Sequence, residues 1–201
     1  MSLYRSSLHP PVFPSQISSY SSLADALNSN TRRQFANPRR RRVPQYKSKI
    51  PLGFNPRRPP ILFDHFDACG QGVPVHDFIT LSTNALAREV IGAHDQVLAG
   101  LDIRQLTLRI TWQGYECLGW SRSIPASPAI SRVQLGATIA MQFWNFIEDV
   151  RDVPTPLVEW KLGPNAIKFE QIILLGLYNI FDDTWQADIA VDTPFPASPS
   201  F

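Results

Sequence analysis

Charge is distributed along this chain so unevenly that it constrains the fold before any motif is considered. Residues 1–60 carry eleven Lys and Arg against the single acid Asp25, whereas residues 61–201 carry eight bases against sixteen acids. The formal net charge of +2 is what remains of two large opposed terms. Prolines 10, 11, 14, 38, 44, 51, 56, 59 and 60 lie in the basic part, where they remove backbone donors and interrupt helices. A segment poor in apolar residues and rich in like charge cannot offset the entropy of ordering, so residues 1–60 are expected to be a disordered arm. One local exception is Ser22 to Asp25, which reads as a capping box with Leu23 and Leu27 one turn apart, enough for two turns of marginal helix.

From residue 61 the pattern changes to short apolar segments separated by turn signals, and at 201 residues the chain has room for one ordinary domain after the arm. Between Ile103 and Gln113, Leu106, Leu108, Ile110 and Trp112 alternate with polar residues, which predicts a strand with one buried face. Cys117 to Arg122 reads as its returning partner. Trp185, Ala187, Ile189 and Val191 alternate with Gln186, Asp188, Ala190 and Asp192 in a second clear strand after the Asp182-Asp183 turn. Further strand candidates are Val75 to Leu81, Leu157 to Leu162 and Ile167 to Tyr178, the last apolar enough to be buried on both faces. Ser82 to Gly92 has helix start and stop signals. Ala137 to Val150 fits a helix through Ile139, Phe143, Phe146, Ile147 and Val150, and also alternates as a strand through Ile139, Met141 and Phe143; pattern alone leaves both open. The expected class is therefore all-β, a single antiparallel sandwich over residues 61–201 with one or two short helices. Pro194 to Phe201 is expected to be an irregular extension.

The most concentrated functional signal is cationic. Arg32, Arg33, Arg39, Arg40, Arg41, Arg42, Lys47, Lys49, Arg57 and Arg58 fall within 27 positions with no acid among them. Such a segment repels itself until it meets a polyanion, and the guanidinium fork suits phosphate. These ten residues are the expected nucleic-acid-binding set, with single-stranded RNA as the partner and Phe35, Tyr46 and Phe54 as stacking platforms. Nothing in the segment reads base sequence, so recognition of backbone and shape is expected.

Other chemistry is poorly represented. His9, His65, His76 and His94 show no metal-ligand spacing, and no Gly-rich phosphate loop, nucleophile elbow or Cys-x-x-Cys occurs, so no catalytic residues, cofactor or metal site is expected. The acidic pairs Asp64 and Asp67, Asp149 and Asp152, and Asp182 and Asp183 have the oxygen ligands that calcium takes at subunit contacts, although solvated loop acids are the plainer reading. Two cysteines, Cys69 and Cys117, build no disulfide framework. No apolar run reaches membrane-spanning length, so no membrane partner is expected. The start lacks a secretory signal, though its Ser- and Arg-rich, acid-poor composition is also that of an organelle transit peptide.

In plan, about two hundred residues with an Arg-rich arm before one β domain, the chain resembles the coat proteins of small plant positive-strand RNA viruses. Among these the bacilliform types, alfalfa mosaic virus and the ourmiaviruses, are nearest in size, and no stretch of residues matches either. The resemblance implies an eight-stranded jelly roll and a homo-oligomeric shell of many copies. It also implies an arm on genomic RNA, with Arg32, Arg33 and Arg39 to Arg42 as the arm cluster, and a virion location after assembly in host cytoplasm. The alternatives are an RNA-binding protein that forms no shell, including a movement-type protein, and an organelle protein with a cleaved basic leader.

Overall fold

The computed structural model describes residues 35–45, 58–101 and 103–193. The expected helix near Ser22, the cations Arg32, Arg33, Lys47, Lys49 and Arg57, the aromatics Tyr46 and Phe54, and the tail from Pro194 lie outside those residues.

Two long strands form the axis of the domain. β6 (Ile172–Phe181) and β7 (Thr184–Asp192) are an antiparallel hairpin, the sequence's double-faced apolar run followed by its clear alternating strand. The turn between them places Asp182 at φ 42°, a left-handed conformation that a short polar side chain tolerates. Asn179 Nδ2 donates to the Asp182 and Thr184 carbonyls at 2.6 and 3.3 Å and holds the turn.

Short strands cover the outer edges of this hairpin in halves. On β6, β2 (Ile61–Leu62) pairs at Leu177 and Gly176, and β3 (Val73–Pro74) pairs at Leu174 and Ile173. On β7, β4 (Gln105–Arg109) runs parallel to the Thr184–Gln186 end, and β1 (Arg40–Arg42) runs antiparallel to the Ala190–Asp192 end. β5 (Ser121–Pro125) pairs with β4. The result is a β-rich domain built on one mixed sheet of seven strands with a few helices. The antiparallel sandwich expected from the sequence differs in two respects: the seven strands belong to one sheet, and the β4–β7 pair is parallel.

The ambiguous segment is a helix. Among the described residues, α1 (Asp77–Thr80) and α2 (Thr83–Glu89) are short, and α3 (Arg132–Val150) is the long one. A capping box decides its start, because Ser131 Oγ accepts from the Gln134 amide at 3.3 Å while Gln134 Oε1 accepts from the Ser131 amide at 2.9 Å. Its buried stripe, Gly136, Ile139, Ala140, Phe143, Phe146 and Val150, has helical spacing and joins Leu106, Leu108, Ile124, Leu174, Trp185, Ala187 and Ile189 of the sheet in one core. Met141, which the strand reading would have placed with Ile139 and Phe143, is exposed. At Gly136 a Cβ would run into the Phe78 ring of α1, so the crossing of α1 and α3 requires a residue without a side chain.

Other expectations differ as well. Val75 to Leu81 is not a strand: β3 ends at Pro74 and α1 begins at Asp77. Leu157 to Leu162 forms a 3-10 turn at Val158–Trp160, and the return strand expected over Cys117 to Arg122 begins later, at Ser121. Within residues 1–60, expected to be a disordered arm, residues 35–45 are described, and Arg40–Arg42 forms β1 on β7. Among the described residues no helix is long and apolar enough to cross a membrane.

Candidate nucleic-acid interface

The arginine tetrad sits on the edge of the sheet, and strand geometry sorts its members. Opposed residues of an antiparallel pair share a face, and successive residues alternate. Arg40 lies across from Asp192, Arg41 from Val191 and Arg42 from Ala190. Arg41 therefore shares the core face of Val191, and Arg40 and Arg42 share the opposite face with the acids of β7.

Each of the three meets a carboxylate. Arg40 grips Asp192 with two parallel bonds, Nε to Oδ1 at 2.7 Å and Nη2 to Oδ2 at 2.8 Å, while its Nη1 donates to the Gln71 carbonyl. Arg42 Nη2 stands 3.2 Å from Asp188 Oδ2, a diagonal neighbour two residues along β7, in an ion pair not aligned as a hydrogen bond. Arg41 stacks over the Trp160 ring at 4.9 Å and reaches Glu159 at 3.2 Å. Backbone bonds extend the seat in both directions: the Val43 amide donates to Ile189 O and the Thr193 amide to Arg39 O, each at 3.0 Å. Val43 is fully buried in the core.

Asp188 is the unusual member. Its side chain is 6% exposed, and burial pushes its carboxyl up to about 6 despite the opposing pull of Arg42 and of the Ile189 backbone. Desolvation therefore exceeds the attraction of its partner, as is common for buried ion pairs.

The other expected cations divide. Arg39 is exposed and makes no ion pair among the described residues. Arg58 approaches Asp183 at 3.8 Å with its side chain 25% exposed. The remaining five expected positions lie outside the described residues. The stacking candidate Phe35 packs against a second small apolar cluster of Ile173, Leu175 and Ala190 on the β1 side of the sheet.

In two of the acid pairs considered for calcium, one member is engaged in hydrogen bonds. Asp64 Oδ1 accepts from the Gly70 amide at 2.7 Å, and Asp149 Oδ2 accepts from Trp120 Nε1 and Arg122 Nη2, both at 2.9 Å. Among the described residues no group of three or more His, Cys, Asp or Glu could hold a metal ion. His76 borders Asp77, whose carboxyl burial raises while His76 and His65 pull it back.

Asp188, Asp192, Glu159 and Trp160 were not singled out as site residues by the sequence. The spacing of Asp188 and Asp192 on the polar side of one strand was visible, but their cations come from about 150 positions earlier in the chain. Comparison with protein-family models, with curated proteins and with solved structures gives no match to this chain.

Proposed function

We propose that this chain is an RNA-binding protein of the coat type, which packages RNA through its basic segment and assembles with copies of itself into a closed shell. The observation that carries the reading is ten cations without an acid between residues 32 and 58, in a chain whose remaining part is acidic. The segment is tethered at β1, so Arg32 and Arg33 precede the tether in sequence, and Lys47, Lys49 and Arg57 follow it. Cations on both sides of this strand would hold a polyphosphate close to the domain. The jelly-roll coat family belongs to the same proposal and rests on length and charge layout rather than on strand order.

The test is negative-stain electron microscopy of the full-length protein purified from expressing cells, with absorbance at 260 and 280 nm on the same fraction. Uniform closed particles with a nucleic-acid spectrum support a coat protein. A nucleic-acid-bound monomer or small oligomer across a range of salt and pH supports RNA binding without a shell. Protein free of nucleic acid in every condition refutes both.

A further inference from the structure

We infer that β1 is an autoinhibitory seat, in which Asp188 and Asp192 occupy the phosphate-binding faces of Arg42 and Arg40 until RNA displaces the strand. The inference rests on the RNA-binding reading above and adds its regulation. The two-bond grip of Arg40 on Asp192 uses the same guanidinium edge and the same geometry with which arginine holds a phosphate. While the carboxylate is there, a phosphate cannot be. Arg42 is similarly turned toward Asp188, and Arg41 is turned to Glu159 with its guanidinium over the Trp160 ring.

The seat is built to be left. β1 is three residues long and, among the described residues, pairs only with β7. Two of its three ion pairs are of kinds that contribute little net stability: Glu159 is 56% exposed, where water competes, and buried Asp188 is desolvated at a loss. A polyphosphate gathered by the flanking cations brings many anionic oxygens to Arg40 and Arg42 at high local concentration. Exchange of two carboxylates for two phosphates then releases β1 from the β7 edge.

The experiment measures poly(U) binding to the full chain as a function of salt, for the wild type, for Asp188→Asn with Asp192→Asn, and for Arg40→Ala with Arg42→Ala. Circular dichroism on each confirms that it is folded. Both Asp→Asn changes keep the side-chain shape and remove the competing charge. They are expected to tighten binding with little change in the slope of log K against log salt, because the same two phosphates are neutralised once β1 is released, whereas Arg40→Ala with Arg42→Ala is expected to make that slope shallower by about 1.4, two phosphates at about 0.7 each for a single strand. In the wild type, saturating poly(U) is expected to abolish hydrogen-exchange protection of the Val43 amide, which is bonded to Ile189 O in the seat.

Wild-type binding that the Asp→Asn changes leave unaltered, with Val43 still protected, overturns the seat and spares the RNA-binding reading. Absence of poly(U) binding by every protein overturns both. Weakened binding in the arginine variant together with continued protection of Val43 also overturns the seat, since it means that Arg40 and Arg42 contact RNA without leaving the sheet.

Discussion

Arg42 and Asp188 meet across the β1–β7 edge at 3.2 Å, and the carboxyl of this pair is held near a pKa of 6 because burial outweighs the arginine. The pair ties an N-terminal strand to the C-terminal one by a contact that is itself sensitive to pH. Its consequence for stability has a definite sign. A carboxyl raised from 3.8 to about 6 favours the folded state when protonated, so its contribution is fully present below about pH 3.8 and is lost as pH rises through about 6. The difference is on the order of 3 kcal/mol, from about 1.4 kcal/mol per pKa unit.

Asp188→Asn is therefore expected to remove this pH dependence. Relative to the wild type, the variant should gain stability between pH 4 and pH 7, by up to about 3 kcal/mol. Urea midpoints at pH 4.5 and 7.5 measure the change. Equal differences at the two pH values would show that Asp188 is not a buried acid with a raised pKa.

Arg42→Ala has the complementary dependence. Arg42 lowers the Asp188 pKa, so without it the carboxyl titrates still higher. The variant should lose more stability at pH 7.5, where a bare buried carboxylate results, than at pH 5, where Asp188 protonates. Chemical denaturation of the variant and the wild type at both values decides it, and a pH-independent loss would contradict the pairing.

Removal of residues 1–34 is expected to leave a folded domain, whereas removal of residues 1–60 is not neutral. The longer deletion takes away β1 and Val43, which is fully buried. Loss of that side chain alone is worth about 1.5–3 kcal/mol. Thermal unfolding should show a lower midpoint for the 61–201 fragment than for the 35–201 fragment. Equal midpoints would return the boundary to residue 60.

Phe146→Ala should be among the most destabilising single changes, about 3–5 kcal/mol. Phe146 is 1% exposed and has Trp112, Tyr115 and Trp120 around it, with ring centroids at 6.4, 6.4 and 5.5 Å. Because the substitution dismantles a tryptophan cluster, intrinsic fluorescence should change along with the denaturation midpoint. Ser131→Ala, which removes only the capping hydroxyl of α3, should cost about 1 kcal/mol by the same assay.

Local pattern determined a good part of this protein. The alternation of Leu106 and Leu108 specified a strand and its buried face, because the pleat converts a period of two into inside and outside, whereas that of Trp185 to Val191 specified a strand whose alternate face, Gln186, Asp188 and Ala190, is buried as well. The apolar middle of Ile167 to Tyr178 implied burial on both faces, although the strand starts only at Ile172, and Ser82 opened a helix through a cap that involves only neighbouring residues. The basic segment was equally plain, as charge is a property of composition. What required the tertiary structure was everything that depends on distant partners. The choice of helix for Arg132–Val150 was sealed by the sheet that its stripe covers, although its Ser131–Gln134 capping box is itself local. The parallel β4–β7 pair joins segments about 77 positions apart. The run Arg40–Arg42 has no local reason to be a strand. It becomes one because Asp188, Asp192 and the open backbone edge of β7, about 150 residues later, supply the carboxylates and hydrogen bonds that an isolated arginine run lacks.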